Sequence, residues 1–192
     1  MSISGIGRQI YSYFTPEEPG RLGLVEMLEQ DMEGQEPDFV GISVLISKQA
    51  AQLREFESWA KEGRWEEFSH QHYDWWMFPI DRRSRGYGGM YTVHENQVKA
   101  LQRRPRFMDN YKRGVALLLY SWGWHPSRNQ LFVNRFDNNL VRLGKVLQSL
   151  DLFGEKQLFE SAQEFAKQVM DVKHLSGDWT YLRTLIWKLP KD

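Results

Sequence analysis

The densest set of chemistry-bearing side chains lies between residues 70 and 85. His70, His72 and Asp74 are metal-ligand types close together in the chain. Zinc needs three or four such groups converging at about 2.0–2.2 Å. On a helix, positions 70 and 72 face apart; in an extended segment they share a face. His94 or His125 would have to complete the set through the fold. Histidines beside aromatics otherwise pack and hydrogen-bond, and on that reading no metal or other cofactor is expected. Arg82, Arg83 and Arg85 share one loop and make a candidate anion site. Trp75, Trp76 and Phe78 could line an aromatic cage or a peptide groove, or wedge the core with each indole N–H finding a carbonyl. Further on, Asn139, Arg142 and Lys145 recur every three residues, which on a helix makes one polar strip. Arg142 is its centre, because a guanidinium can hold a carboxylate or phosphate through two parallel hydrogen bonds. Its alternative use is internal, pinning an acid such as Asp31 or Glu36.

Other chemistries are excluded or weak. The chain has no Cys, which removes thiol nucleophiles, disulfides and zinc-thiolate sites. Gly86-Tyr87-Gly88-Gly89 is followed by no Lys-Ser/Thr and preceded by no strand pattern, so it is not a phosphate loop. No GxSxG or HExxH occurs, and Glu66-Glu67 reads as helix surface. Lys+Arg and Asp+Glu both total 25, so the overall attraction that nucleic-acid binders use is missing. The charge is nevertheless segregated. Eight acids between Glu17 and Asp38 are opposed only by Arg21, whereas the basic run from Arg82 to Arg113 contains only Glu95 and Asp109 as acids. Docking of the acidic segment on the basic one is the simplest use of that asymmetry.

The elements that must position these residues read as helices. A chain of 192 residues buries roughly 70% of its surface, enough for one core. The expected organisation is an irregular arm over residues 1–20, then a single helical domain over 21–192. Helical spacing of apolar residues marks Arg21–Glu33, then Asp38–Glu62, with Asp38 as cap, Phe39, Ile42, Ile46, Leu53, Phe56 and Ala60 inward, and Gly63 as stop. A short helix over Trp65–His72 precedes a loop over Ile80–Tyr91. Thr92 and Glu95 have capping-box spacing for a helix reaching about Arg104. Pro105 opens the next, with Met108, Tyr111, Val115, Leu118 and Trp122 on one face, closed by Gly123. After a second loop, His125–Phe136, Asp137 can cap a leucine helix over Asn138–Leu150. Leu158 to Val169 and Trp179 to Trp187 complete an all-α bundle of about seven helices with two longer loops. No apolar run spans a bilayer, and MSISGIGRQIYSYF lacks the apolar core of a signal peptide, so a cytoplasmic location is expected.

Two blocks resemble the conserved region of the opioid growth factor receptor family. Tyr73, Trp76, Met77, Phe78 and Pro79 fall on its Tyr-x-x-Trp-Leu-Phe-Pro motif, with Met77 for Leu. Asn139-Leu140-Val141-Arg142-Leu143-Gly144-Lys145-Val146-Leu147-Gln148-Ser149-Leu150 is similar, without gaps, to its Asn-x-Leu-Arg-Ile-x-Arg-Ile-Leu-Lys-Ser-Leu. Between them, Trp122-Gly123 resembles the aromatic-Gly end of its Leu-rich helix. The likeness covers about residues 65–170, and the family's motif histidine falls on Gln71. The resemblance implies an all-helical domain without enzymatic chemistry and, in animal members, peptide growth-factor binding and nuclear association.

The expected function is therefore that of a non-enzymatic module binding a protein or peptide partner, through Asn139, Arg142, Lys145, Trp75 and Trp76, with Arg82, Arg83 and Arg85 available for an anion. The alternative is an enzyme or metal protein built on His70, His72 and Asp74 with the Arg82–Arg85 loop.

Overall fold

The longest apolar stripe makes the longest helix. In the computed structural model, which describes residues 36–170 and 180–188, α1 spans Ile42–Glu62 and buries Ile42, Leu45, Leu53, Phe56 and Trp59. Leu45 and Trp59 take the inward places expected of Ile46 and Ala60. Turning α1 this way removes more apolar area from water, since an indole replaces a methyl. Its start is Gly41 at φ 90°, not Asp38. The Asp38 carboxylate instead accepts the Gly89 N–H at 3.0 Å. Gly63 stops the helix in the left-handed conformation at φ 69°.

Two one-turn helices, α2 (Glu67–His70) and α3 (Asp74–Met77), replace the single one expected over Trp65–His72. Extended backbone at Gln71 separates them. The Ile80–Tyr91 loop is closed by a two-way backbone pair between Ser84 and Gly88. Helix α4 (Glu95–Gln102) is capped by His94, whose N–H donates to Gln97 Oε1 at 3.0 Å. The box is therefore His94 with Gln97, two residues beyond Thr92 and Glu95. Thr92 is buried, and its hydroxyl donates to the Arg82 carbonyl in the loop.

Helix α5 (Pro105–Ser121) begins at its proline, and Met108, Tyr111, Val115 and Leu118 are buried together with Trp122 beyond its end. The second loop contains a minimal antiparallel hairpin, β1 (Trp124–His125) with β2 (Gln130–Leu131). Helix α6 (Leu140–Leu152) is capped by Asn139, which accepts the Arg142 N–H at 3.0 Å, while Asp137 accepts the Asn139 N–H one step earlier. Helices α7 (Lys156–Val169) and α8 (Thr180–Ile186) follow.

The fold is all-α, with eight helices and one two-stranded hairpin among the described residues. All described residues fall in one compact unit, Gly34–Asp192. The expected arm and the Arg21–Glu33 helix lie outside the described residues. α1 packs along α5, while α6 packs on α7 with α8 against both. Aromatic rings hold the core: Phe56 lies 4.6 Å from Phe68 and 4.6 Å from Tyr73, and Trp122 stacks on Phe165 at 5.5 Å. No helix among the described residues is long and apolar enough to cross a membrane.

Candidate functional site

The polar row of α6 is turned into the protein. Arg142 is 4% exposed and Lys145 is 7% exposed. The Arg142 guanidinium donates to the Phe68 carbonyl and, at 2.5 Å, to the Gln71 carbonyl, and lies over the Tyr73 ring at 4.6 Å. Tyr73 donates its hydroxyl to the same Phe68 carbonyl. Lys145 pairs with the buried Asp74 carboxylate, and Arg142 lies 3.9 Å from that group's other oxygen. The face of Trp75 lies 3.0 Å from the Lys145 ammonium. Asn139 serves as the helix cap. The row expected at the surface is thus a lock joining α6 to the α2–α3 segment. Arg142 does act internally, on Asp74 and two carbonyls; Glu36 pairs with Arg83 instead, and Asp31 lies outside the described residues.

Burial pushes the Lys145 ammonium down to about 8, against the opposing pull of Asp74. Below pH 8 both folded and unfolded chains carry this proton, and the folded state bears the full desolvation penalty. Between pH 8 and about 10.5 the folded state releases the proton first, so the unfolded state binds more protons and stability rises with pH. The expected result is that the stability of the wild type relative to Lys145→Met grows by on the order of 2 kcal/mol from pH 7.5 to 10. Denaturant titrations across that range measure it, and a flat difference would remove Lys145 from the titrating groups. Burial raises the Tyr73 and Tyr111 hydroxyls above their ordinary range. Both tyrosines are present in both proteins, so their effect cancels in the comparison.

The histidines do not converge. His70 and His72 are exposed, while Asp74 is buried against Lys145. His94 caps α4 with its Nε2 3.4 Å from Glu36, and His125 lies beside Ser127. Among the described residues, no three His, Cys, Asp or Glu side chains gather where an ion would fit.

The three loop arginines also separate. Arg83 pairs with Glu36 and stands 3.8 Å from Asp38, whereas Arg82 lies over the Tyr181 ring at 5.7 Å. Arg85 is exposed on the loop. Glu36 and Asp38 thus dock on the basic run as the charge asymmetry predicts; the earlier acids lie outside the described residues. Gly88 and Gly89 make that docking possible, since a Cβ on Gly89 would stand 2.6 Å from the Asp38 carboxylate. The glycine run admits a carboxylate of the same chain.

Trp75 and Trp76 are half-buried, whereas Phe78 is in the core. Trp76 donates its indole N–H to Gln52 Oε1 at 3.3 Å and packs against Tyr87 and Tyr91. Of the two indoles, that of Trp76 finds a carbonyl, from a side chain, and both tryptophans pack against the core from half-buried positions rather than within it.

One surface group escaped the sequence reading. Tyr120, Phe132 and Val133 are 38%, 45% and 40% exposed. Tyr120 lies 4.7 Å from Phe132 and 5.7 Å from Trp65. Arg135 extends over Trp65 and Phe132 and is fixed by bonds from its guanidinium to the Ser121 and Tyr120 carbonyls. The available signal was the apolar run Leu131-Phe132-Val133 inside a largely polar loop. Comparison with protein-family models, curated proteins and solved structures gives no match.

Proposed function

We propose that this chain is a non-enzymatic interaction module that recognises a protein or peptide partner, as its resemblance to the opioid growth factor receptor conserved region implies. The observation that carries the reading is the exposed Tyr120–Phe132–Val133 patch with Trp65 and Arg135 beside it. Apolar side chains gathered at a surface mark contact sites. Tyrosine, tryptophan and arginine are the residues that dominate interface energetics, because they bury large areas with few rotors and keep a polar tip. The patch stands on a helix end and a hairpin held by backbone hydrogen bonds, so little order has to be gained on binding. The alternative centred on His70, His72 and Asp74 draws no support from this geometry.

The test is a Tyr120→Ser, Phe132→Ser double variant. Both rings are exposed, so its melting temperature should stay close to that of the wild type. Proteins retained from a lysate by the wild type are purified and titrated against both forms. A partner should bind the variant at least about thirtyfold more weakly, the effect of losing a residue worth ~2 kcal/mol. Equal binding by the two forms would remove the patch from recognition and the reading with it.

A further inference from the structure

Trp76, Tyr87 and Tyr91 form a second grouping, separate from that patch. Their ring centroids are 6.1 Å apart for Trp76–Tyr87, 5.5 Å for Trp76–Tyr91 and 5.5 Å for Tyr87–Tyr91. The planes meet at 79°, 60° and 68°, so the rings stand as three adjoining walls. Two of the walls are braced. Gln52, itself buried, holds the Trp76 indole through Oε1 and donates its amide to Glu55 at 2.8 Å. Ser84 Oγ accepts the Gly86 and Tyr87 N–H groups, and Met90 N–H donates to the Tyr87 carbonyl. Trp76 and Tyr87 are only half-buried, so the group opens to the surface.

Two of the three rings already face a cation. Lys48 Nζ lies 4.2 Å from the Trp76 centroid and 5.5 Å from that of Tyr91. Among the described residues this ammonium has no hydrogen-bond or ion-pair partner. A primary ammonium carries three N–H donors that seek acceptors, and ring faces satisfy them poorly. A methylated ammonium has fewer donors, or none, is less strongly hydrated, and meets the same negative ring faces with its whole surface. Exposed Val44 stands one turn before Lys48 on α1 and adds apolar surface beside the mouth.

We propose that Trp76, Tyr87 and Tyr91 are a binding site for a methylated ammonium group, and that Lys48 is its built-in competitor. An entering ligand displaces Lys48, whose unbranched side chain can swing to solvent without moving the helix. Free quaternary amines and trimethylated lysine side chains share this chemistry.

The test follows the Trp76 indole N–H by nuclear magnetic resonance, assigned by its loss in Trp76→Phe. Wild type and Lys48→Ala are titrated with tetramethylammonium chloride and with a peptide carrying trimethyl-lysine. Neutral 3,3-dimethylbutanol supplies the same shape without charge. Lys48→Ala should bind tetramethylammonium roughly fivefold more tightly than the wild type, and a Tyr87→Ala change added to it should weaken binding about tenfold. Tighter binding of the peptide than of the free amine assigns the site to a modified protein, and equal binding assigns it to a small amine. An equal response to the neutral alcohol, or no displacement of the Trp76 signal in Lys48→Ala at millimolar amine, overturns the proposal. Because Tyr120 and Phe132 are unchanged in these variants, failure here leaves the patch test unaffected.

Discussion

Replacing Arg142 with Met should destabilise the protein by about 3–5 kcal/mol, the effect of breaking a buried, hydrogen-bonded charge network from one side. Its guanidinium satisfies the Phe68 and Gln71 carbonyls and stands beside the buried Asp74 carboxylate. Methionine fills much of the volume but donates nothing, so the Gln71 carbonyl loses this partner and Asp74 keeps Lys145 alone. Arg142→Lys separates charge from geometry. One ammonium keeps the positive charge but lacks the planar fork that reaches two carbonyls, so about 1.5–3 kcal/mol should still be lost. Urea denaturation of both variants gives the numbers. A midpoint within error of the wild type for either would mean that the α2–α3 segment is held on α6 by its aromatic packing and not by this lock.

The position of that lock marks the limit of what residue spacing reveals. The spacing of Leu140, Leu143, Leu147 and Leu150 marks the inward face of α6, and all but the half-buried Leu140 are buried; the stripe of α5 was legible down to Trp122. Both follow from a 3.6-residue period and the area that large apolar side chains remove from water. Arg142 and Lys145 look like solvated positions on the same grounds, because charged groups are rarely buried unless paired. Their partners are two backbone carbonyls and an aspartate about seventy positions away. A carbonyl leaves no mark in sequence, so nothing local announces the pairing. Caps failed for a different reason. Asp38, Thr92 and Asp137 all have cap chemistry, but short polar side chains serve loops equally well. Each is used there, on Gly89, Arg82 and Asn139, while Gly41, His94 and Asn139 begin the helices. The aromatic motif was legible as a cluster but not in its partners. Trp76 turns towards Tyr87 and Tyr91 because the Ser84–Gly88 pair folds the loop back, a bend that three arginines and a glycine run do not disclose.

Gly123→Ala should cost on the order of 4 kcal/mol, at the upper end of single substitutions. Gly123 stands at φ 91°, where a side chain is strained. Its carbonyl also accepts the Phe132 N–H at 2.9 Å, which brings the returning strand against its α-carbon. A Cβ there would overlap the Val133 carbonyl oxygen and stand 2.7 Å from the carbonyl carbon. Since both atoms belong to the backbone, no rotamer relieves the overlap; the strand has to move. Gly154→Ala isolates the conformational part. Gly154 has φ 67° but open space around the added carbon, so only left-handed strain of about 1–2 kcal/mol applies. Denaturant midpoints of the two variants should therefore differ by roughly 2–3 kcal/mol, the share due to displaced backbone. Equal midpoints would show that the hairpin yields at little cost and that Val133 is not held where the structure puts it. The same displacement carries Phe132 away from Tyr120, so Gly123→Ala protein that remains folded should also lose any partner that depends on their 4.7 Å contact. Gly154→Ala should retain that partner, because its glycine lies at the far end of α6.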